Sequence, residues 1–294
     1  MKCPNPNTFE QDTFLCHRRS MRTGRLLAAL APVILLTGCL QSTALIKVNA
    51  DGSGTIENQT TMTSAALAQI RQLSGLFGGT NSKPVDPFSE QQMRDLAAQM
   101  GDGVTLLSSR PLRVAGSEGR EAVYAFRDIT KLRISETPAA PGNASVRAGG
   151  LSLGAGQSAA VTVELSRTPG GNMLLTVHTP TDPLTGLVDR LGSGRARGTP
   201  TPPDEMAMIR QMLGGLHVAL RVEPAGRVVR TNSAYVDGST VTLFDIDVDA
   251  LLNDDAAFTR LQSARTAAET AEALKNVPGI KVNLERDITI EFAP

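Results

Sequence analysis

The sequence predicts an α+β domain, with largely antiparallel sheets of hairpins and several amphipathic helices packed on one face. Three observations predict it. Apolar residues recur at period two, as in Ile280, Val282 and Leu284 and again in Ile288, Ile290 and Phe292. Tight-turn residues join neighbouring stretches of this kind, with Asp51-Gly52, Asp237-Gly238 and Pro169-Gly170-Gly171, which favours antiparallel pairing. Segments with apolar residues at helical spacing lie between them and end in glycine. The chain has 294 residues, 41% of them hydrophobic and 20% charged, in the range of a globular protein. Trp is absent and aromatic residues make up 3%, so strand cores must be built from Val, Leu, Ile and Ala.

The charge balance excludes some partners. Lys plus Arg and Asp plus Glu number 29 each, so no excess steers the chain toward nucleic acid. So few aromatic rings also leave few stacking platforms for single strands.

The N-terminal region is organised around one cysteine. Arg22 and Arg25 precede an apolar run, Leu26–Leu36, that only Pro32 interrupts. A membrane-spanning helix needs about 20 such residues. A basic region, a short apolar run and small residues make a secretory signal peptide. Leu36-Thr37-Gly38-Cys39 resembles the lipobox of bacterial lipoproteins. In that family the Cys sulfur receives a diacylglycerol, the signal is cut before the Cys, and the new amino terminus is acylated. The resemblance implies cleavage between Gly38 and Cys39, lipidation of Cys39, and membrane lipid as the partner of the anchor. Many diderm bacteria retain lipoproteins with a following Asp in the inner membrane. Here Leu40 follows, which implies an outer-membrane protein facing the periplasm if the cell is diderm.

The organisation read from this is as follows. Residues 1–20 are a polar extension upstream of Met21, disordered or ahead of the true start. Residues 21–38 are the signal peptide, 39–41 the lipidated tether, and 42–294 a single envelope domain. Cys3, Cys16 and His17 match no ligand spacing. No cysteine follows Cys39, so the mature chain has no internal disulfide.

Along the domain, Ala44, Ile46 and Val48 alternate against Leu45, Lys47 and Asn49, giving a first strand. Asp51-Gly52-Ser53-Gly54 turns the chain, and Thr55–Met62 returns as a second strand. That turn lacks the Lys and Ser/Thr of a phosphate loop and the spaced carboxylates of an EF-hand. Leu67, Ile70, Leu73, Leu76 and Phe77 mark a helix that ends at Gly78-Gly79. Ser89 and Gln92 form a capping-box pattern ahead of a second helix with Met93, Leu96 and Met100 on one face. Strands are expected at Val104–Leu107, at Leu112–Val114, and where Ala122, Tyr124 and Phe126 share a face. Residues 136–158 and 192–204 are rich in Gly, Ala, Ser, Pro or Arg and read as flexible insertions.

A hairpin is centred on Pro169-Gly170-Gly171. Asp204 can cap a helix whose Met206, Ile209 and Leu213 face inward. Leu216, Val218, Leu220 and Val222 share one face of the next strand, and His217, Ala219, Arg221 and Glu223 the other. Pro224-Ala225-Gly226 turns the chain, and a further hairpin lies at Asp237-Gly238. Phe258, Leu261, Ala264, Ala268 and Ala271 mark one long helix. The last strand locks the carboxyl terminus into a sheet.

The lipidated Cys, a strand, "DGSG", a second strand and, far downstream, "VALRVEPAGRVVRTNSAYVDGSTVTLFDIDVDALL" resemble a group of bacterial envelope lipoproteins distantly similar to the LppM-like domain. The resemblance spans most of residues 39–250. It implies an α/β domain on a membrane anchor that binds lipid or glycolipid, and it supplies no catalytic residues to carry over.

No Gly-x-Ser-x-Gly elbow occurs, and His178 and His217 are the histidines of the mature chain. Asp245, Asp247 and Asp249 are spaced like a calcium ladder, but Ala250 and Ala256 stand where such a loop needs Gly and Glu. No catalytic, metal or cofactor site is therefore expected, and ligand-binding residues stay unassigned. The expected function is a non-enzymatic envelope binding or scaffold module for lipid or glycolipid, lipid-anchored through Cys39. A membrane-anchored hydrolase is the alternative.

Overall fold

The computed structural model describes residues 40–77, 86–135, 146–148, 151–153, 160–179, 201–264, 266–283 and 285–294. The extension, the signal peptide, Cys39 and most of the two glycine-rich insertions lie outside the described residues. The described residues fall within one compact unit.

The first strand, β1 (Leu40–Val48), opens the larger sheet. It includes Leu40 and Gln41, so these two residues are paired strand rather than tether: Leu40 stands opposite Met62 and Gln41 opposite Thr61. Gly52, at a φ of 84°, closes the hairpin to β2 (Gly54–Thr63), where a side chain would be strained. The chain continues through α1 (Ser64–Phe77) and α2 (Glu90–Gln99). Ser89 caps α2 as its pattern predicts, accepting a hydrogen bond from the Gln92 N–H.

The next hairpin is β3 (Thr105–Val114) and β4 (Ser117–Phe126). The sequence suggests two strands in the place of β3. The structure has one, because Pro111 sits on a sheet edge, where its missing N–H removes no ladder bond. After a 3-10 turn at Ile129–Lys131 come β5 (Ile134–Ser135), β6 (Val146–Ala148) and β7 (Leu151–Leu153). The last two pair with each other inside the first insertion. Then β8 (Ala160–Arg167) and β9 (Met173–His178) form the predicted hairpin.

The final third comprises α3 (Pro203–Leu213), β10 (His217–Pro224), β11 (Arg227–Thr231), β12 (Val236–Asp237) and β13 (Thr240–Asp247). It continues with α4 (Val248–Asn253), α5 (Asp255–Ser263), α6 (Ala267–Leu274), β14 (Ile280–Val282) and β15 (Asp287–Ala293). Two expectations are corrected here. Asp204 does not cap α3: the helix starts at Pro203, and Pro202 at the cap position offers no side-chain acceptor. The expected long helix is two helices, because Ala264 is extended and Thr266 starts α6 afresh by accepting from the Glu269 N–H.

The larger sheet runs β12-β13-β10-β1-β2-β4-β3, with β14 also on β13, and the smaller runs β11-β15-β9-β8-β5. All pairs are antiparallel except β1 with β10, which run parallel with Ile46 opposite Val222. The fold is thus α+β, as the alternation and the turns predict. Pro224-Ala225-Gly226 carries the chain from β10 in one sheet to β11 in the other. One continuous core joins Ile46, Ile56 and Tyr124 of the larger sheet, Leu175, Ile290 and Phe292 of the smaller, and helix residues including Met93, Ile209, Leu251 and Phe258. Burying this apolar surface is the main stabilisation of the fold. A separate, smaller cluster holds Met62, Ala66, Leu67 and Phe88, with Leu40 and Ile70 packed against it.

Candidate functional site

The two apolar clusters occupy the same face of the larger sheet. On β2 the alternation puts Ile56, Asn58, Thr60 and Met62 on that inner face. Ile56 belongs to the main core and Met62 to the small cluster, so Asn58 and Thr60 lie between them. Pairing extends this interval into a band across the sheet. Ser42 and Thr60 are opposite, as are Thr60 and Arg120, Asn58 and Ala122, and Ala122 and Ser109.

The polar groups of the band bond to one another. Thr60 Oγ1 donates to Asn58 Oδ1 at 3.0 Å, and the Ser42 and Thr60 hydroxyls are 3.4 Å apart. Arg120 Nη1 donates to Ser109 Oγ at 2.6 Å. Arg120 Nε is shielded from solvent and, among the described residues, has no hydrogen-bond partner. Leaving a shielded guanidinium N–H unpaired costs on the order of 1–3 kcal/mol, which an acceptor placed there removes. Arg120 is thus a half-buried cation opposite the Thr60 hydroxyl, with Ala122 on one side of it along the same face of β4 and Glu118, paired with Arg71, on the other.

The opposite, outer face carries a charged cluster. His217 Nε2 and Asp245 Oδ1 are 2.7 Å apart, and Arg221 Nη2 donates to Asp245 Oδ2, also at 2.7 Å. Burial pushes the Asp245 carboxyl up, but the His217 and Arg221 hydrogen bonds and charges more than reverse this. They hold it below the usual carboxylate range. Further along the face, Lys47 Nζ donates to Glu57 Oε1 at 2.7 Å, a pair that raises the ammonium's proton affinity. In the smaller sheet His178 Nδ1 lies 2.7 Å from Asp287 Oδ1, with Glu164 3.6 Å from Nε2. Each histidine thus sits beside a carboxylate. Among the described residues no hydroxyl is hydrogen-bonded to either ring.

The three spaced aspartates do not act together. Asp245 is held by His217 and Arg221. Asp247 caps α4 by accepting from the Asp249 and Ala250 N–H groups. Asp249 accepts from the Gly215 N–H at 2.9 Å. The strand ends at Asp247, so the alternation that would align them stops there. Among the described residues no group of three His, Cys, Asp or Glu side chains is placed to hold a metal ion.

Ser42, Asn58, Thr60, Ser109 and Arg120 are the residues that the sequence reading missed. Their signal is polarity in the apolar phase of a strand. Arg120 precedes Ala122, Tyr124 and Phe126 in one alternation, and Ser42 precedes Ala44, Ile46 and Val48 in another.

No family model matches the chain, and no curated protein matches it. Among solved structures, the chain is similar to the folded domain of the LppM protein of Mycobacterium tuberculosis, determined by NMR. The identity is 11% and the TM-score 0.32, over 86% of this chain and 89% of that one. Among the described residues no helix is long and apolar enough to cross a membrane.

Proposed function

We propose that the chain is a lipid-anchored envelope protein whose domain is a non-enzymatic binding module for an amphiphile, a lipid or glycolipid. A polar or anionic headgroup sits at the Arg120 band, and apolar parts lie along the flanking clusters. The observation that carries this reading is the shielded, unpartnered Arg120 Nε in a polar band between two apolar clusters of one sheet face. Shielded donors are normally satisfied, so one that is not asks for an acceptor from outside the chain.

The anchor is Cys39, cut from Gly38 and acylated, with cytosolic synthesis followed by export. An outer-membrane, periplasm-facing location follows if the cell is diderm. Leu40 supports a close anchor, because the residue after Cys39 is already paired in β1.

The test is native mass spectrometry of the protein extracted from its own membrane. A co-purifying lipid or glycolipid is expected in the parent and at least about tenfold less of it in Arg120→Ala, the loss of about 1.4 kcal/mol of binding. Equal occupancy in both overturns the assignment of the band. Cys39→Ser is expected to leave the protein soluble or uncleaved; mature-sized protein in the membrane fraction overturns the anchor. The hydrolase alternative takes the His217–Asp245 pair, 2.7 Å apart, as its base and orienting carboxylate. It requires an ester-cleaving activity that His217→Ala abolishes.

A further inference from the structure

The larger sheet has two chemically different ends. At one, β1 begins at Leu40, β2 finishes at Thr63, β4 begins at Ser117 and β3 finishes at Val114. Register fixes these four positions together: Leu40 is opposite Met62, Thr63 opposite Ser117, and Val114 opposite Ser117. The Ser64 N–H donates to the Gly116 carbonyl, tying the start of α1 to the β3–β4 turn.

At this end the charged residues flank the turn rather than forming it: Arg113 stands opposite Glu118, and Glu118 pairs with Arg71 of α1. Leu40–Ile46, Asn58–Ile70 and Val114–Ser117 contain no Asp, Glu, Lys or Arg. The other end has Lys47, Asp51, Glu57, Arg127 and Asp128. At this end Val114 is 57% exposed, and Ala65, Ala115 and Gly116 are exposed with it. Nothing in the described fold covers Val114. Arg113, also exposed, stands beside it.

We infer that the β3–β4 turn, Val114–Gly116, is a membrane-contact surface that enters the bilayer interface beside Cys39. This rests on the reading of Cys39 as lipidated. Cys39 is one residue from Leu40, within about 4 Å between Cα atoms, so acyl chains on it hold this end of the sheet at the lipid. Three strand spacings separate β1 from β3, about 14 Å, so the turn and the anchor meet the same leaflet. The three-residue tip Val114–Gly116 carries no charge, Glu118 beside it is paired with Arg71, and the Arg113 guanidinium reaches the phosphate layer.

The contact is confined to the β3 side. On the other side of β1, the acidic residues Asp245, Asp247 and Asp249 lie on or after β13, two strands away from β1. Charged groups there keep that side in water. The domain therefore leans, with β3 toward the lipid and β13 away from it.

The chain has no Trp, so a single introduced Trp reports its own surroundings. The test uses Val114→Trp and, as a reference, Leu107→Trp. Leu107 is 60% exposed on the same strand, roughly 23 Å from Val114 at the rise of a strand. Full-length protein carrying either change is expressed, matured and reconstituted into vesicles of phosphatidylcholine and phosphatidylglycerol with brominated acyl chains. Intact mass reads the lipid on Cys39 separately. The expected result is quenching of Trp at 114 at least about twofold stronger than at 107, because the interface is only about 5–10 Å deep. With lipid present on Cys39, equal quenching at both positions, or stronger quenching at 107, overturns the inference alone. Absence of lipid on Cys39 overturns the anchor reading and this inference with it.

Discussion

The Tyr124 hydroxyl donates to the Met93 thioether sulfur 3.5 Å away, joining β4, next to the edge of the larger sheet, to α2. Tyr124 is fully buried, and burial pushes its phenol up to about 12. In the unfolded chain the same phenol titrates near 10. The folded state therefore holds the proton more tightly. Its stability is complete below about pH 10 and falls as pH rises toward 12, by roughly 3 kcal/mol. Tyr124→Phe is expected to lose this alkaline step, and at pH 7 to change stability by less than about 1 kcal/mol, since sulfur is a weak acceptor. Urea unfolding at pH 7 and pH 11 checks both. An unchanged alkaline step in the variant counts against the assignment.

Asp245 has the opposite pH sense. Its lowered pKa means that the folded state favours the carboxylate. Its contribution is present above the unfolded value near 3.9 and is lost as pH falls through the folded one. Asp245→Ala leaves His217 and Arg221 without this partner and is expected to cost about 1–3 kcal/mol at pH 7. The gap between variant and parent should narrow below about pH 4. Unfolding midpoints from pH 7 down to pH 3 measure it, and a gap that widens toward acid refutes the account.

The two helix starts give a matched pair. Ser89→Ala removes the acceptor of the Gln92 N–H and is expected to cost about 1 kcal/mol. Asp204→Ala touches a first-turn carboxylate that makes no cap, so only its favourable interaction with the helix dipole is lost, about 0.3–1 kcal/mol. Thermal or urea unfolding of both variants ranks them, and an equal or larger loss at Asp204 counts against the capping geometry.

Gly119 lies in the middle of a sheet for a steric reason. A Cβ there collides with the Thr60 carbonyl and the Thr61 Cα of the neighbouring strand. Backbone cannot step aside as a flexible side chain can. Gly119→Ala is expected to destabilise by about 1–3 kcal/mol, whereas Gly103→Ala, whose Cβ meets open space at a positive φ of 83°, costs about 1 kcal/mol through strain alone. Guanidinium unfolding of the two variants compares them.

What the sequence made legible was local. Ile288, Ile290 and Phe292 alternate because one face of β15 is buried, and each of the three is buried. Ser89 is readable because a cap and its N–H lie three residues apart. The long-helix reading failed at Thr266 because apolar spacing continues through the break, while the cap that restarts the helix is a single hydroxyl. The parallel pairing of β1 with β10 was not legible at all, since alternation says which face is buried but not which strand is the neighbour. The Arg120 band escaped for a related reason. Ser42, Asn58, Thr60, Ser109 and Arg120 are ordinary strand residues one by one, and only register puts them side by side.

That parallel pair also constrains how the molecule can be made. Ile46 emerges early in synthesis, but its partner Val222 comes only with the last third of the chain. The smaller sheet waits longer still, because β15, at the end of the chain, lies between β9 and β11. Contacts this distant in sequence slow folding, since a long loop must close before any of them forms. Until Val222 is released Ile46 lacks a neighbouring strand, and until Phe292 is released Leu175 lacks one. On the proposed export route that delay is an advantage, since a thread crossing a membrane would then have nothing finished to unfold on the way.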